Sequence, residues 1–365
     1  VQKDGSFQLD MDYFSYHYSD SQTFNGKFVK LFGEPRNPKS EFITQLTHAN
    51  VSGQETEVKR NQYYADVAAS IQRVTEDTLL TMANHLYKET GLKKLCMAGG
   101  VALNSVANGR ILRETPFEDL FIHPAPGDSG GAVGAALYVW HVLLGKPRQF
   151  TLENVYLGQE YDDGEIKTFL DSKGIGYKVY DDDEALFERL VEDIIGGKVV
   201  GWFQGRFEWG PRALGNRSIL ADPRRADMKH IVNSKIKFRE PFRPFAPVIL
   251  EERAGEFFDG LSDPKRQYPA RYMLLVFPWK GSAGELIPAV NHLGTGRLQT
   301  VRREWNPRYY RLVEKFGEAT GVPVLMNTSF NLRGEPIVGS PANAWNTFSK
   351  SGIDILVLDR FLVSK

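Results

Sequence analysis

The chain predicts an α/β protein, and three observations carry that class. Short apolar runs of strand length alternate with longer stretches of helical period, as in Lys94–Ala98, 101–113, Leu120–Ile122 and 130–144. Paired glycines stand directly after the first of these strands, at Gly99-Gly100, where a strand hands over to a helix. At 365 residues, 42% hydrophobic and 25% charged, the chain has the make-up of a soluble protein with two domains or one large one.

Residues 1–60 are mixed and rich in aromatics, with Pro35 and Pro38 marking a break. Val1–Phe7 reads as half a hairpin turning at Asp4-Gly5, and a start at valine in mid-hairpin leads us to expect upstream sequence. A helix is expected over about 62–89, with Val67, Ile71, Val74, Met82 and Leu86 near one stripe and Gly91 as its stop. Lys94–Ala98 should be a buried strand, with Cys96 a buried thiol. A helix over about 101–113 and a strand over Leu120–Ile122 follow. The loop His123–Gly131 then leads into an alanine-rich helix over about 130–144. Gly145–Arg148 looks like a linker, which divides the chain into domains at 1–147 and 148–365.

Beyond the linker we expect a helix near 184–195, a strand over Val199–Phe203 and a shaped loop over 205–218. A helix near 225–234 and strands near Pro247–Leu250 and Arg271–Phe277 come next. A helix near 304–319, a strand over Val322–Met326, a helix near 341–350 and a strand over Asp354–Leu358 complete the second region. The sequence contains no internal repeat and no low-complexity tract.

Forty-five basic residues balance forty-five acidic ones, so no general field draws in nucleic acid or an anionic membrane. Any anion binding must be local. A single cysteine excludes an intrachain disulfide, and the seven histidines include no His-x-x-x-His pair. No apolar run reaches membrane-spanning length and no signal-peptide pattern opens the chain, which predicts a cytoplasmic protein.

Residues 205–218, Gly-Arg-Phe-Glu-Trp-Gly-Pro-Arg-Ala-Leu-Gly-Asn-Arg-Ser, are the most telling stretch. Arg206, Arg212 and Arg217 sit among Gly205, Gly210 and Gly215. Glycine lets backbone approach a ligand, and a guanidinium grips two oxyanion atoms at once. The alternative is a solvated basic loop. Gly99-Gly100 with Asn104 can present backbone amides to a phosphate or acyl group, or can simply allow tight packing. Asp128, in Gly127-Asp-Ser-Gly-Gly131, can bind a divalent cation or cap the helix after it. Lys237, Arg239 and Arg243 form a second cationic set stiffened by prolines. Thr328, Ser329 and Asn331, after a strand, suit ribose, phosphate or base, or a plain turn.

The blocks Ala98–Asn104, Pro126–Ala132, Gly205–Ser218 and Met326–Asn331 resemble the O-carbamoyltransferase family of nodulation-factor and antibiotic-tailoring enzymes, from about residue 60 to Lys365. The resemblance implies the C-terminal half of an actin-like ATPase-fold domain followed by a YrdC-like domain. It implies ATP and a divalent metal ion, Fe or Mg, as cofactors, with carbamoyl phosphate and a small hydroxyl-bearing acceptor as partners. The YrdC-like part would form carbamoyl-adenylate, and the other would transfer the carbamoyl group. Arg206, Arg212 and Arg217 would then meet phosphates or carbamoyl phosphate, and Lys237, Arg239, Arg243, Thr328, Ser329 and Asn331 would belong to the adenylate-forming site. Gly99, Gly100 and Asn104 would contact carbamoyl-adenylate in the transfer site, with Asp128 as a metal ligand. The family's metal site also uses a His-x-x-x-His pair, which this sequence lacks. Two other readings stay open: an actin-like phosphotransferase of sugar-kinase type, and a non-catalytic nucleotide- or RNA-binding module. The acceptor and the oligomeric state, a homodimer included, are not legible.

Overall fold

A computed structural model describes residues 1–38, 40–45, 48, 51–261 and 268–365. They divide into one unit of Val1–Gly91 with Glu114–Pro116, and a second of Leu92–Arg113 with Phe117–Lys365.

In the first unit Asp4-Gly5 does turn the chain, with Gly5 N–H bonded to Gln2 C=O at 3.1 Å, but no strand flanks the turn. A 36-residue helix, Glu55–Thr90, dominates this unit. It begins seven residues before the expected start at about 62 because Glu55 and Glu57 favour its positive N-terminus. It ends at Gly91, whose φ of 65° is the left-handed stop that glycine adopts freely. The stripe is not buried: Ile71 is 63% exposed and Val74 52%. At 1.5 Å per residue the helix runs about 54 Å. The short segments that precede it are too few to cover that length.

The second unit holds twelve strands: β1 Lys94–Met97, β2 Asp119–Ile122, β3 Lys178–Val179, β4 Val200–Phe203, β5 Arg217–Ala221, β6 Ala246–Leu250, β7 Val276–Pro278, β8 Thr295–Arg297, β9 Gln299–Val301, β10 Val324–Ser329, β11 Ile355–Leu358 and β12 Phe361–Ser364. Eight of them form one mixed sheet in the order β3-β12-β11-β4-β5-β10-β6-β9, parallel only at β11/β4 and β6/β9. β1 and β2 make a separate parallel pair, and β7 and β8 an antiparallel one. The fold is therefore mixed α/β around a large sheet.

Alternate residues of the central strands, such as Val200 and Trp202, Val248 and Leu250, and Ile355 and Val357, form one apolar core with Leu190 and Phe316. Leu190 lies on the helix Asp183–Ile195 and Phe316 on Pro307–Thr320, both close to their expected bounds. The helix Pro341–Ser349 packs on β11 and β4.

The structure corrects several expectations. Residues 217–221 are a strand, so the arginine loop is shorter than expected, and Asn327–Ser329 lie within β10 rather than after it. The expected strand over 271–277 is a helical turn, Tyr268–Tyr272, followed by β7. The helix Asp163–Ser172, held by an Asp162/Glu165 capping box, was not foreseen. Cys96 is exposed, because among the described residues its sheet is only two strands wide and Leu95 takes the covered face. No helix of the described residues is long and apolar enough to cross a membrane.

Candidate functional site

Five stretches of chain meet at a cavity of about 270 Å³, one of them contributing only Met273. The β4–β5 loop supplies Arg212, and the segment before β6 supplies Lys237, Arg239 and Arg243. β8 ends on Arg297. β10 ends on Asn327, Thr328 and Ser329, and the loop after it adds Asn331 and Arg333. The helix that starts at Met228 loosens over Asn233–Lys237 and stops at Phe238, whose φ of 46° is unusual for a bulky residue. That turn leaves Phe238 49% exposed and Lys237 only 4% exposed. Lys237 Nζ donates to Asn331 Oδ1 at 2.8 Å, to Asn331 C=O at 3.1 Å, to Ser329 Oγ at 3.2 Å and to Ser329 C=O. Ser329 Oγ in turn donates to Asn331 Oδ1 at 2.7 Å. The ammonium is held by neutral acceptors only.

Six cations line the cavity (Arg212, Lys237, Arg239, Arg243, Arg297 and Arg333), and among the described residues no carboxylate does. Glu240 lies 3.9 Å from Arg243 and 3.8 Å from Arg333, too far for a hydrogen bond. Burial, with Arg239 and Arg243 adding to it, pushes the Lys237 ammonium down to about 7. Burial, then Arg212, Arg239 and Arg243, pushes Arg297 down to about 9. Arg239 is pushed down to about 10 by burial and Arg243, with Glu240 opposing. Burial alone lowers Arg212. The Nε atoms of Arg212 and Arg297 are buried without a hydrogen-bond partner. Glu240 offsets only part of this crowded like charge, and an oxyanion is suited to the unused donors.

Comparison with known proteins places this geometry. Residues 1–137 match the family described as Carbamoyltransferase N-terminus, and residues 191–365 match Carbamoyltransferase C-terminus. The chain belongs to the carbamoyltransferase family. An uncharacterized protein of Synechocystis sp. is 43% identical over all of this chain and 60% of its own length. Nodulation protein NolNO of Sinorhizobium fredii is 43% identical over 83% of this chain and 44% of its own. Nodulation protein NolO of Bradyrhizobium diazoefficiens is 42% identical over 83% and 55%. The chain thus spans about half the length of the relatives it matches. A solved structure of full-length HypF in the phosphate- and nucleotide-bound form aligns with a TM-score of 0.35 and 16% identity, over 52% of this chain and 23% of its own. At that level it says nothing about this chain's chemistry.

The cavity lies wholly within the carbamoyltransferase C-terminal match. Seven of the residues singled out from the sequence converge there: Arg212, Lys237, Arg239, Arg243, Thr328, Ser329 and Asn331. Arg206 does not, and it is exposed. Arg217 does not either, which corrects the expectation that it meets phosphates. Its guanidinium is fully buried over the Phe203 ring and donates to the carbonyls of Gln204 at 2.6 Å, Asn216 at 2.9 Å, Gly205 at 3.1 Å and Gln159 at 3.3 Å. Arg297 and Arg333 were missed. Arg297 follows Gly294-Thr-Gly296, a glycine-arginine pairing of the kind that marks the β4–β5 loop, and that signal could have found it.

Gly99, Gly100, Asn104 and Asp128 lie elsewhere, in the carbamoyltransferase N-terminal match. β1 and β2 run parallel, so the loops after them open at the same edge. Gly99 N–H donates to Pro126 C=O at 2.7 Å, which joins the two loops. Asn104 Oδ1 accepts from Ala107 N–H at 3.2 Å, a capping contact. The β4–β5 loop reaches this edge as well: Trp209 packs on His123 with ring centroids 4.9 Å apart, and Gly210 abuts the Pro124 carbonyl. Asp128 is exposed, and among the described residues no group of three or more His, Cys, Asp or Glu could hold a metal ion. The residues present do not fit a metal, and no step is routed through one.

Proposed function

We propose that the arginine-lined cavity binds ATP with carbamoyl phosphate and forms carbamoyl-adenylate, the first half of an O-carbamoyl transfer to an acceptor hydroxyl. We further propose that residues 148–365 have the YrdC-like fold and residues 1–147 the C-terminal part of an actin-like fold. The observation that carries the reading is the set of six cations lining the cavity, with no carboxylate among the described residues of its lining. A triphosphate beside a second phosphate ester is the kind of ligand that needs so many donors. Membership of the carbamoyltransferase family selects the carbamoyl donor among such ligands.

The chemistry follows from positioning and charge neutralisation. Water cleaves carbamoyl phosphate to phosphate and carbamate. A carbamate oxygen attacks the α-phosphorus of ATP, the bond from that phosphorus to the β-phosphate oxygen breaks, and pyrophosphate leaves. Arg212, Arg239, Arg243 and Arg297 neutralise charge on the phosphates, and the Lys237 ammonium, held by Ser329 and Asn331, adds its positive charge beside them. An acceptor hydroxyl then attacks the carbamoyl carbon and AMP departs. The glycine loops at Gly99-Gly100 and Asp128 are the proposed place of that second step.

The test is exchange of labelled pyrophosphate into ATP, dependent on carbamoyl phosphate. Arg212→Ala should abolish exchange while circular dichroism and the unfolding midpoint stay unchanged. Full exchange in that variant, or ADP in place of AMP as the nucleotide product, would overturn the assignment.

A further inference from the structure

The β4–β5 loop places Arg212 in the cavity, yet among the described residues no hydrogen bond or ion pair fixes Arg212. A buried carboxylate four residues earlier holds the backbone instead. Glu208 is 3% exposed. Its own segment is pinned from behind: Trp209 N–H donates to Val155 C=O at 2.8 Å, Gly158 N–H donates to Phe207 C=O at 2.8 Å, and Glu208 bridges Tyr156. From that base its Oε1 reaches across the mouth of the loop. There it accepts N–H bonds from Leu214 at 2.6 Å, Asn216 at 3.0 Å and Arg217 at 3.2 Å. The Leu214 bond closes a ring around residues 209–213, with Arg212 inside it.

The carbonyls of the far limb are held too. Asn327 donates to Ala213 C=O at 3.1 Å, Tyr156 and Gln299 donate to Leu214 C=O at 2.9 and 2.8 Å, and Trp202 donates to Gly215 C=O at 2.8 Å. Three amides on one carboxylate oxygen join this limb to the other, beside the Asn216 side chain's bond to Arg206 C=O at 2.7 Å and those of the Arg217 guanidinium to Gln204 and Gly205 C=O. A carboxylate is well suited to several amide donors, because each bond is charge-assisted.

We propose that Glu208 is the positioning residue of the anion cavity: by closing the loop it pre-orders Arg212 for the oxyanion. This rests on reading the cavity as an anion site. A loop fixed in advance loses less conformational freedom on binding, so its removal should weaken affinity rather than abolish the fold. Reach matters here more than charge. Gln keeps a carbonyl oxygen at the same distance, whereas Asp keeps the charge but is one methylene too short to span the mouth.

The experiment is calorimetric titration of inorganic pyrophosphate into the whole chain, for the wild type, Glu208→Ala, Glu208→Gln, Glu208→Asp, Arg212→Ala and the double variant Glu208→Ala/Arg212→Ala. Unfolding midpoints are measured alongside. We expect Gln to bind within about threefold of wild type, and Ala and Asp at least about tenfold weaker. Glu208 acts through Arg212, so the double variant should lose no more than Arg212→Ala alone. If Ala fails to fold, the Gln and Asp pair decides. Asp equal to wild type with Gln impaired, undiminished binding by a folded Ala variant, or additive losses in the double variant would each overturn the role of Glu208 while leaving the cavity intact. Absence of pyrophosphate binding by the wild type would overturn the cavity reading, and this proposal with it.

Discussion

If the cavity binds anions as proposed, the buried Lys237 should make its affinity for them depend on pH. Burial beside Arg239 and Arg243 holds its ammonium at about 7, against an ordinary 10.5. At 1.36 kcal/mol per tenfold change, keeping that charge in the anion-free protein costs about 5 kcal/mol. Below about pH 7 the folded and unfolded chains both carry the proton, and the folded state bears the cost in full. Between there and 10.5 the unfolded chain holds more protons, so this group raises the stability of the anion-free protein as pH rises. A bound oxyanion reverses the effect by returning the ammonium toward its ordinary value, and binding therefore takes up a proton.

The assay is calorimetric titration with sulfate, whose own charge is constant over the window, at fixed ionic strength. If binding lifts the ammonium to between about 8.5 and 10, sulfate should bind roughly 15- to 30-fold more weakly at about pH 8.5 than at about pH 6. Titrations in two buffers of different ionisation enthalpy should show proton uptake at the upper end. Lys237→Met should bind more weakly at low pH and lose the dependence. A wild-type affinity that stays flat across the window would refute the reasoning, since no proton would then be linked to the anion.

Three further outcomes follow from the arginine loop. Arg206→Ala should leave pyrophosphate affinity within about twofold, because the side chain is exposed and off the cavity, whereas Arg217→Met should lower stability by about 3 kcal/mol or more by stranding four carbonyls, as read by urea unfolding. Gly215→Ala should cost about 2–4 kcal/mol in the same measurement, since φ there is 112° and a Cβ would lie 2.2 Å from Tyr309 Cδ1; an unchanged midpoint would contradict the tight seat of Tyr309.

What could be read in advance was whatever one periodicity determines. The helix Asp183–Ile195 repeats apolar residues at helical spacing and buries that face, so its bounds fell within a residue of expectation. Lys237, Ser329 and Asn331 were legible because their chemistry is polar in apolar surroundings, and the structure joins them by direct hydrogen bonds. The stripe at Ile71 and Val74 misled, because a period says which residues share a face and not whether anything covers it. Arg297 was missed because its one signal, the glycines at 294 and 296, is weak beside a three-residue strand; its significance becomes plain when β8 brings it beside Arg212 and Arg239. Arg217 was misjudged for the converse reason. Every residue of β5 is buried, so no alternation warned that the guanidinium lies inside the protein.

The loop's three arginines have three fates, and its glycines account for them better than its charges do. Gly205, Gly210 and Gly215 all have positive φ, at 44°, 120° and 112°, and an arginine follows each within two residues. Each left-handed turn redirects the chain before the next guanidinium is launched: Arg206 to the surface, Arg212 into the cavity, Arg217 into the core. At Gly210 and Gly215 the absence of a side chain matters a second time, because the Pro124 carbonyl and the Tyr309 ring occupy the space a Cβ would need. Arg217 then fixes the carbonyls of Gln204 and Gly205 and Glu208 the amides across from them, leaving Arg212 as the one arginine of the three that lines the cavity. The composition of such a segment announces an anion, but only its turns decide which cation will meet it.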